Sequence, residues 1–449
     1  MKSNILQKLF NLLVYIVIFI ISVIFLAKTN YIWLLLYLIC IIFLIKKDKI
    51  KNFSILIFVT SFLLKLIMII SVNLPQVYDF KLLLDASKMF ANGDYSFNTW
   101  WHFRIWSYQT GFVVYQGLIL KIFNSEIILK LLQAVYSSLL CVIIYKIAKK
   151  ITNEKAAKVV SLLYMIFPYH MIMNLTLVNH HLSTLLMYMG ILFLLKENIK
   201  TKDYIFAAIF IAFGNIIRPE GIIIVFSLCV YILLTFDKEK IKNTLINASL
   251  FILVYLFINA SASFLIIKTG VNPNGLKNND PLWKFVLGFN SDACGFYNKE
   301  DDIRVFTDHE DEKEIIKERL LTKDTGKLMT CKINSFWLSN GLYLNEGNLY
   351  DKTVSISNIK IKLSKLEDVI MVVNQTLQYI VILFMILGLF VSRKNVSKEY
   401  LFLLILTIVT FLVYLLIEVQ ARYSYFIFIT VFILASKFIE YIQNKIGSR

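Results

Sequence analysis

The chain has 449 residues, of which 58% are hydrophobic and only 17% charged, and its formal net charge is +17. A soluble domain is less apolar and about a quarter charged, so that class is excluded. The positive charge does not indicate nucleic acid: most lysines sit in short loops beside apolar runs, and no cationic groove with interleaved aromatics lies outside those runs.

Many of the apolar runs approach the roughly 20 residues that cross a bilayer. They are solid Ile, Leu and Phe without alternation of period two, which predicts helices and not barrel strands. The fold class expected is an all-α polytopic membrane protein with about twelve spans. In chain order these are Leu9–Leu26, Tyr31–Ile45, Phe53–Val72, Ile127–Ile147, Val159–Ile172 and Leu182–Leu195, then Tyr204–Ile217, Ile222–Phe236, Leu245–Ile267, Val369–Val391, Tyr400–Ile417 and Tyr423–Phe438. The first lacks a small-x-small cleavage site and reads as a retained helix.

With the N-terminus in the cytoplasm, every second loop is basic: Lys46 to Lys51, then Lys149, Lys150 and Lys155, then Lys196, Lys200 and Lys202, then Lys238, Lys240 and Lys242, then Arg393, Lys394 and Lys398. The tail with Lys445 and Arg449 falls on the same side. This is the pattern of the positive-inside rule, and it predicts a multi-pass cell-membrane protein with both termini cytoplasmic. The alternate loops then face outward: residues 73–126, the turn at Asn179-His180-His181, the short turns IIRPEG (Ile216 to Gly221) and EVQARY (Glu418 to Tyr423), and the long loop 268–368. A loop of that length is a functional element, not a connector. Within it DHEDEKEIIKERL (Asp308 to Leu320) predicts a short solvated helix. Cys294 and Cys331 share this loop, where a disulfide and two free thiols both fit; the other cysteines are apolar filler in spans. No CxxC or His/Cys spacing marks a metal site.

Polar residues concentrate at the outer edge, unlike a proton or ion pump, whose acids lie at mid-membrane. Arg218 and Arg422 are the basic residues of the short outer turns, each near a glutamate, Glu220 or Glu418. Two guanidinium forks there suit a phosphate at headgroup level; the plain alternative is an interface anchor. Asp79, after Leu74-Pro75, reads either as the N-cap of an amphipathic helix or as a carboxylate at the mouth of a cleft, able to take a proton from a hydroxyl. The stretch Asn98 to Gln116 is dense in aromatics and reads as an interfacial belt combined with a sugar- or lipid-binding wall, with Arg104 and Gln109 favoured over His102 as polar contacts. Lys65 is expected to snorkel outward, and the adjacent His180 and His181 not to share a metal.

The order of these features resembles the GT-C membrane glycosyltransferases, near the bacterial relatives of protein O-mannosyltransferases in glycosyltransferase family 39. They are an apolar span followed by Pro75 and Asp79, a helix with Gly93-Asp94-Tyr95, Tyr108-Gln109-Thr110-Gly111, Arg218-Pro219, and the late turn Glu418 to Tyr423. LWKFVLGFNSDACGFYNKEDD (Leu282 to Asp302) and KINSFW (Lys332 to Trp337) look like the large outer loop of such proteins. The resemblance implies an inverting transfer from a polyprenyl-phosphate-linked sugar, with Asp79 as base, Arg218 and Arg422 on the phosphate and Glu418 orienting Arg422; Arg104, Gln109 and Tyr423 are the further candidate substrate contacts. It implies a cell-envelope glycan, lipid or protein as acceptor, membrane lipid as surroundings and no nucleic acid. Phe80 stands where many relatives carry a second acid, and Asn179-His180-His181 where many carry an acid in the next outer loop. The second departure argues against a carboxylate-held metal; no cofactor is expected, and a divalent metal stays open. The domains expected are an N-terminal hairpin 1–52, a GT-C-like module 53–267, an extracytoplasmic loop domain 268–368 and C-terminal helices 369–449. A lipid-linked oligosaccharide flippase or transporter, or a polysaccharide polymerase or ligase, is the alternative.

Overall fold

The computed structural model describes residues 30–46, 51–72, 74–235, 241–321, 324–338, 353–356, 359–393 and 396–447. The expected span Leu9–Leu26 lies outside these residues. Ten of the other eleven expected spans each fall mainly on one helix, whereas Val159–Ile172 runs across two, Glu154–Met165 and Pro168–Ile172. The main helices are α1 (Tyr31–Lys46), α2 (Phe53–Ser71), α3 (Tyr78–Ala91), α4 (Thr110–Phe123), α5 (Glu126–Ile151), α6 (Glu154–Met165), α7 (His180–Leu194) and α8 (Thr201–Ile217). They continue as α9 (Gly221–Leu234), α10 (Ile241–Lys268), α11 (Glu312–Leu320), α12 (Thr325–Ile333), α13 (Leu363–Ser392), α14 (Lys398–Leu416) and α15 (Tyr425–Gly447). Among the described residues six helices are long and apolar enough to cross a membrane, and seven if α6 and the following Pro168–Leu175 segment, bent by 54°, form one span. The count of twelve is therefore not reproduced by length: α7, α9 and the apolar part of α1 are shorter apolar helices. The all-helical expectation has one exception, an antiparallel hairpin in the long loop that pairs Thr353–Ile356 with Ile359–Lys362.

Local chemistry sets the breaks. Asn153 caps α6 by accepting from Ala156 N at 2.9 Å, and Ser397 caps α14 by accepting from Tyr400 N at 3.2 Å. Pro168 restarts the chain after α6, where its missing N–H costs nothing. Since lipid offers no drive to bury apolar faces, the bundle rests on close packing and polar links. Gly111 on α4 is such a contact: a Cβ there would meet the Ile216 carbonyl of α8 at 2.1 Å, so only glycine lets these backbones touch. The helix α15 is the buried axis, packed on α13, α6 and α5, whereas α10 leaves Leu253, Phe257 and Phe264 exposed.

Polar side chains cross-link the interior. Lys65 of α2 is 3% exposed and donates to Ser61 at 2.6 Å and Ser138 of α5 at 3.4 Å. It faces the bundle and does not snorkel as expected. Ser137 donates to Asn174 at 2.7 Å, and His181 Nδ1 meets the Tyr425 hydroxyl at 2.6 Å. Such links contribute about 0.6–2 kcal/mol each within a membrane.

Candidate active site

The loops following α2, α8 and α14, with the residues around α11 and α12, gather at one end of the bundle. Entry to α3 is strained. Tyr78 has φ +48°, in the left-handed region that a bulky side chain rarely adopts and that costs of order 1–3 kcal/mol. The helix is capped by Val77, so Asp79 lies in its first turn and is not the N-cap. There its Oδ2 accepts from Arg422 Nη2 at 3.0 Å, and its side chain stays 47% exposed. The guanidinium of Arg422 also lies 5.3 Å from the Phe80 ring. Phe80 thus occupies the place of a second acid as a face for the cation.

Tyr423 is the hub of the site. Its ring centroid is 5.1 Å from the Arg218 guanidinium, 5.5 Å from Lys284 Nζ and 5.8 Å from the Arg422 guanidinium. Its hydroxyl donates to Glu418 Oε2 at 3.1 Å. Glu418 is 2% exposed, paired with Lys284, accepts from Gln420 at 2.7 Å, and also feels the charge of Arg422. Arg218 is held by Glu220 at 2.7 Å and donates to Asn179 Oδ1 at 3.4 Å. Three cations thus face three carboxylates around one phenol. Burial alone would lower the Lys284 ammonium, but the charge of Glu418 outweighs it and holds the group above its ordinary value. Arg218 is raised in the same way, Glu220 opposing burial. Burial would raise Glu418, and Lys284 brings it below the usual carboxylate range.

Lys284 is absent from the candidates read off the sequence, although it stands in the quoted LWKFVLGF. A lysine inside an apolar run needs an acid, and that was the available signal. The segment carrying it is stitched to the late turn. Glu418 N donates to Lys284 O at 2.8 Å and Val419 N to Gly295 O at 2.9 Å. A Cβ on Gly288 would meet Leu416 O at 2.3 Å. Lys332, 1% exposed, donates to the carbonyls of Gly288, Leu415 and Ile417 at 2.7–2.8 Å, capping the end of α14. Burial pushes this amine down to about 7, yet three carbonyl acceptors need all three N–H bonds of the ammonium. The neighbouring Cys331 is disulfide-bonded to Cys294.

The His102 imidazole feels the charges of Asp79, Lys284 and Arg422. Burial lowers the imidazole below its ordinary value, with the two cations adding to this and Gln109 and Asp79 opposing it. Arg104 is exposed on the short helix Trp101–Ile105. His180 and His181 are buried beside Tyr425. No cluster of three or more His, Cys, Asp or Glu that could hold a metal occurs among the described residues.

A family model described as dolichyl-phosphate-mannose-protein mannosyltransferase matches residues 112–262. No curated protein matches significantly. Among solved structures, the oligosaccharyltransferase of Archaeoglobus fulgidus tethered to an acceptor peptide with the NVT sequon is 13% identical, covers 89% of this chain and 50% of its own, and has a TM-score of 0.51. The same enzyme in complex with Zn and sulfate is 13% identical over 87% of this chain and 50% of its own, with a TM-score of 0.50. The archaeal oligosaccharyltransferase AglB from that organism, in complex with an inhibitory peptide and a dolichol-phosphate, is 13% identical over 89% of this chain and 52% of its own, with a TM-score of 0.49. The chain spans about half the length of these structures, and the likeness is one of fold.

Proposed function

We propose that this chain, a multi-pass membrane glycosyltransferase of the GT-C superfamily, moves a sugar from a polyprenyl-phosphate donor to an acceptor hydroxyl, with inversion at the anomeric carbon. The observation that carries the reading is the half-exposed Asp79 carboxylate paired with Arg422 at 3.0 Å. Asp79 would take the proton of the acceptor hydroxyl as that oxygen bonds to the anomeric carbon. The bond from carbon to phosphate oxygen breaks, and its electron pair leaves with the phosphate. Protonation of Asp79 removes the charge that Arg422 was neutralising. The cation is thus released for the leaving phosphate as that group gains negative charge, with no net charge change at the site. Arg218 would hold the donor phosphate beside it.

On this reading the reaction lies on the extracytoplasmic face, opposite the basic loops, and both termini are cytoplasmic. The acceptor is a cell-envelope glycan, lipid or protein. The segments are a hairpin 1–52, a membrane module 53–267, a loop domain 268–368 that walls the site, and helices 369–449 that deliver Arg422. The test is transfer of labelled sugar from a panel of polyprenyl-phosphate sugars by membranes holding wild type or Asp79→Asn at matched expression. Transfer that falls about 10²–10⁴-fold in the variant is the expected result. Equal transfer would remove Asp79 from the chemistry, and no transfer from any donor would shift weight to a flippase or a polymerase.

A further inference from the structure

Beside the charged cluster, two buried polar atoms lack hydrogen-bond partners. His102 is 8% exposed, and its Nε2 has no hydrogen-bond partner. Trp106 Nε1 is likewise buried and unpartnered, and the two rings are 4.9 Å apart. A buried polar atom without a partner has lost its water and gained nothing in exchange, so an adjacent pair is a standing cost that a ligand can remove. The surroundings are aromatic: Trp101 lies 5.1 Å from Trp106 and 4.9 Å from Phe306, which lies 5.0 Å from Trp283. An acyl chain would leave both nitrogens unsatisfied. A pyranose suits them, because its hydroxyls hydrogen-bond in plane while its C–H faces pack on rings.

We propose that His102 and Trp106 form a hydroxyl-reading subsite for a pyranose, set beside the charged cluster by the packing of Trp106 on the group that holds Trp283, the chain neighbour of Lys284. The inference rests on the glycosyl transfer proposed above and assigns the recognition of the sugar, as distinct from its phosphate. The pyranose belongs either to the donor or to a sugar acceptor, and the two sources are separable.

The experiment is calorimetric titration of the full chain in lipid nanodiscs with bare polyprenyl phosphate and with polyprenyl-phosphate mannose, glucose and galactose. Methyl pyranosides are then added to the complex with bare polyprenyl phosphate. One sugar-bearing ligand is expected to bind about tenfold or more tighter than its sugar-free counterpart. His102→Ala and Trp106→Phe should each remove most of that excess without changing the affinity for bare polyprenyl phosphate. His102→Gln, whose amide reaches the Nε2 position, should restore part of it. An excess seen with a sugar-bearing lipid assigns the subsite to the donor, and one seen with a methyl pyranoside assigns it to the acceptor. Bare polyprenyl phosphate that binds while no sugar adds affinity, or an excess that survives both variants, overturns the subsite and leaves the phosphate reading intact. Failure of every ligand to bind overturns both.

Discussion

Glu418 and Asp79 both meet a cation at the same end of the bundle, and their surroundings differ in one respect. Glu418 is buried and its oxygens already accept from Lys284, Gln420 and Tyr423. Asp79 is half-exposed, and its recorded hydrogen bond, from Arg422, leaves lone pairs open. A carboxylate that must receive a proton needs a free lone pair, whereas one that holds a turn needs every lone pair occupied. By this contrast the Asp79 pair is suited to reaction and the Glu418 pair to support.

The sharpest way to break the contrast is to exchange the roles. Asp79→Asn should abolish transfer by orders of magnitude while leaving thermal stability close to wild type, and Glu418→Gln should do the reverse. Arg422→Ala should follow Asp79→Asn, with transfer down about 10²–10³-fold. Arg422→Lys should recover little, since a point charge does not replace the fork. Lys284→Met strands a buried carboxylate and should cost about 3–5 kcal/mol, read as a lower melting temperature in detergent. The double variant Lys284→Met with Glu418→Leu should regain most of that loss. Cys294→Ser should lower stability by up to about 4 kcal/mol from the entropy of a loop closed across 37 residues, with a smaller effect on transfer.

A pH-dependent effect concerns Glu312, which burial and the neighbouring Asp280 and Asp311 raise to about 8. An acid whose folded pKa lies above its unfolded value favours folding while protonated. Stability should therefore decline as pH rises from about 4.5 through 8. Glu312→Gln should flatten that slope in melting curves, and an unchanged slope would remove Glu312 as its source.

Much of this architecture is legible in the chain because lipid leaves little choice: apolar runs must be helices, and basic loops choose a side. Asp79, Arg218 and Arg422 stand out for a similar reason, being charges at the ends of apolar runs. What fails to show is which face of an evenly apolar helix points inward. Lys65 was expected to reach outward because no periodicity in α2 reveals that its side meets Ser138. The long loop hides Lys284 and Lys332 for a different reason. Their partners are Glu418 and the carbonyls at the end of α14, and such tertiary pairings leave no local spacing. Trp106 and His102 stand in the stretch that reads as an aromatic belt combined with a sugar- or lipid-binding wall, where Arg104 and Gln109 rank above His102; their unpartnered nitrogens are visible only in the fold.

Asp79 and Arg422 are 343 positions apart. During synthesis the acid emerges early, and its cation arrives only after the long loop has passed and α14 has been laid down. Contacts so distant in the chain form late, because the intervening segments must be ordered first. Any nascent or truncated chain that ends before the Glu418 turn therefore carries Asp79 without Arg422. On the reading proposed here such a chain cannot turn over a donor it meets in the membrane, so timing alone keeps incomplete copies silent.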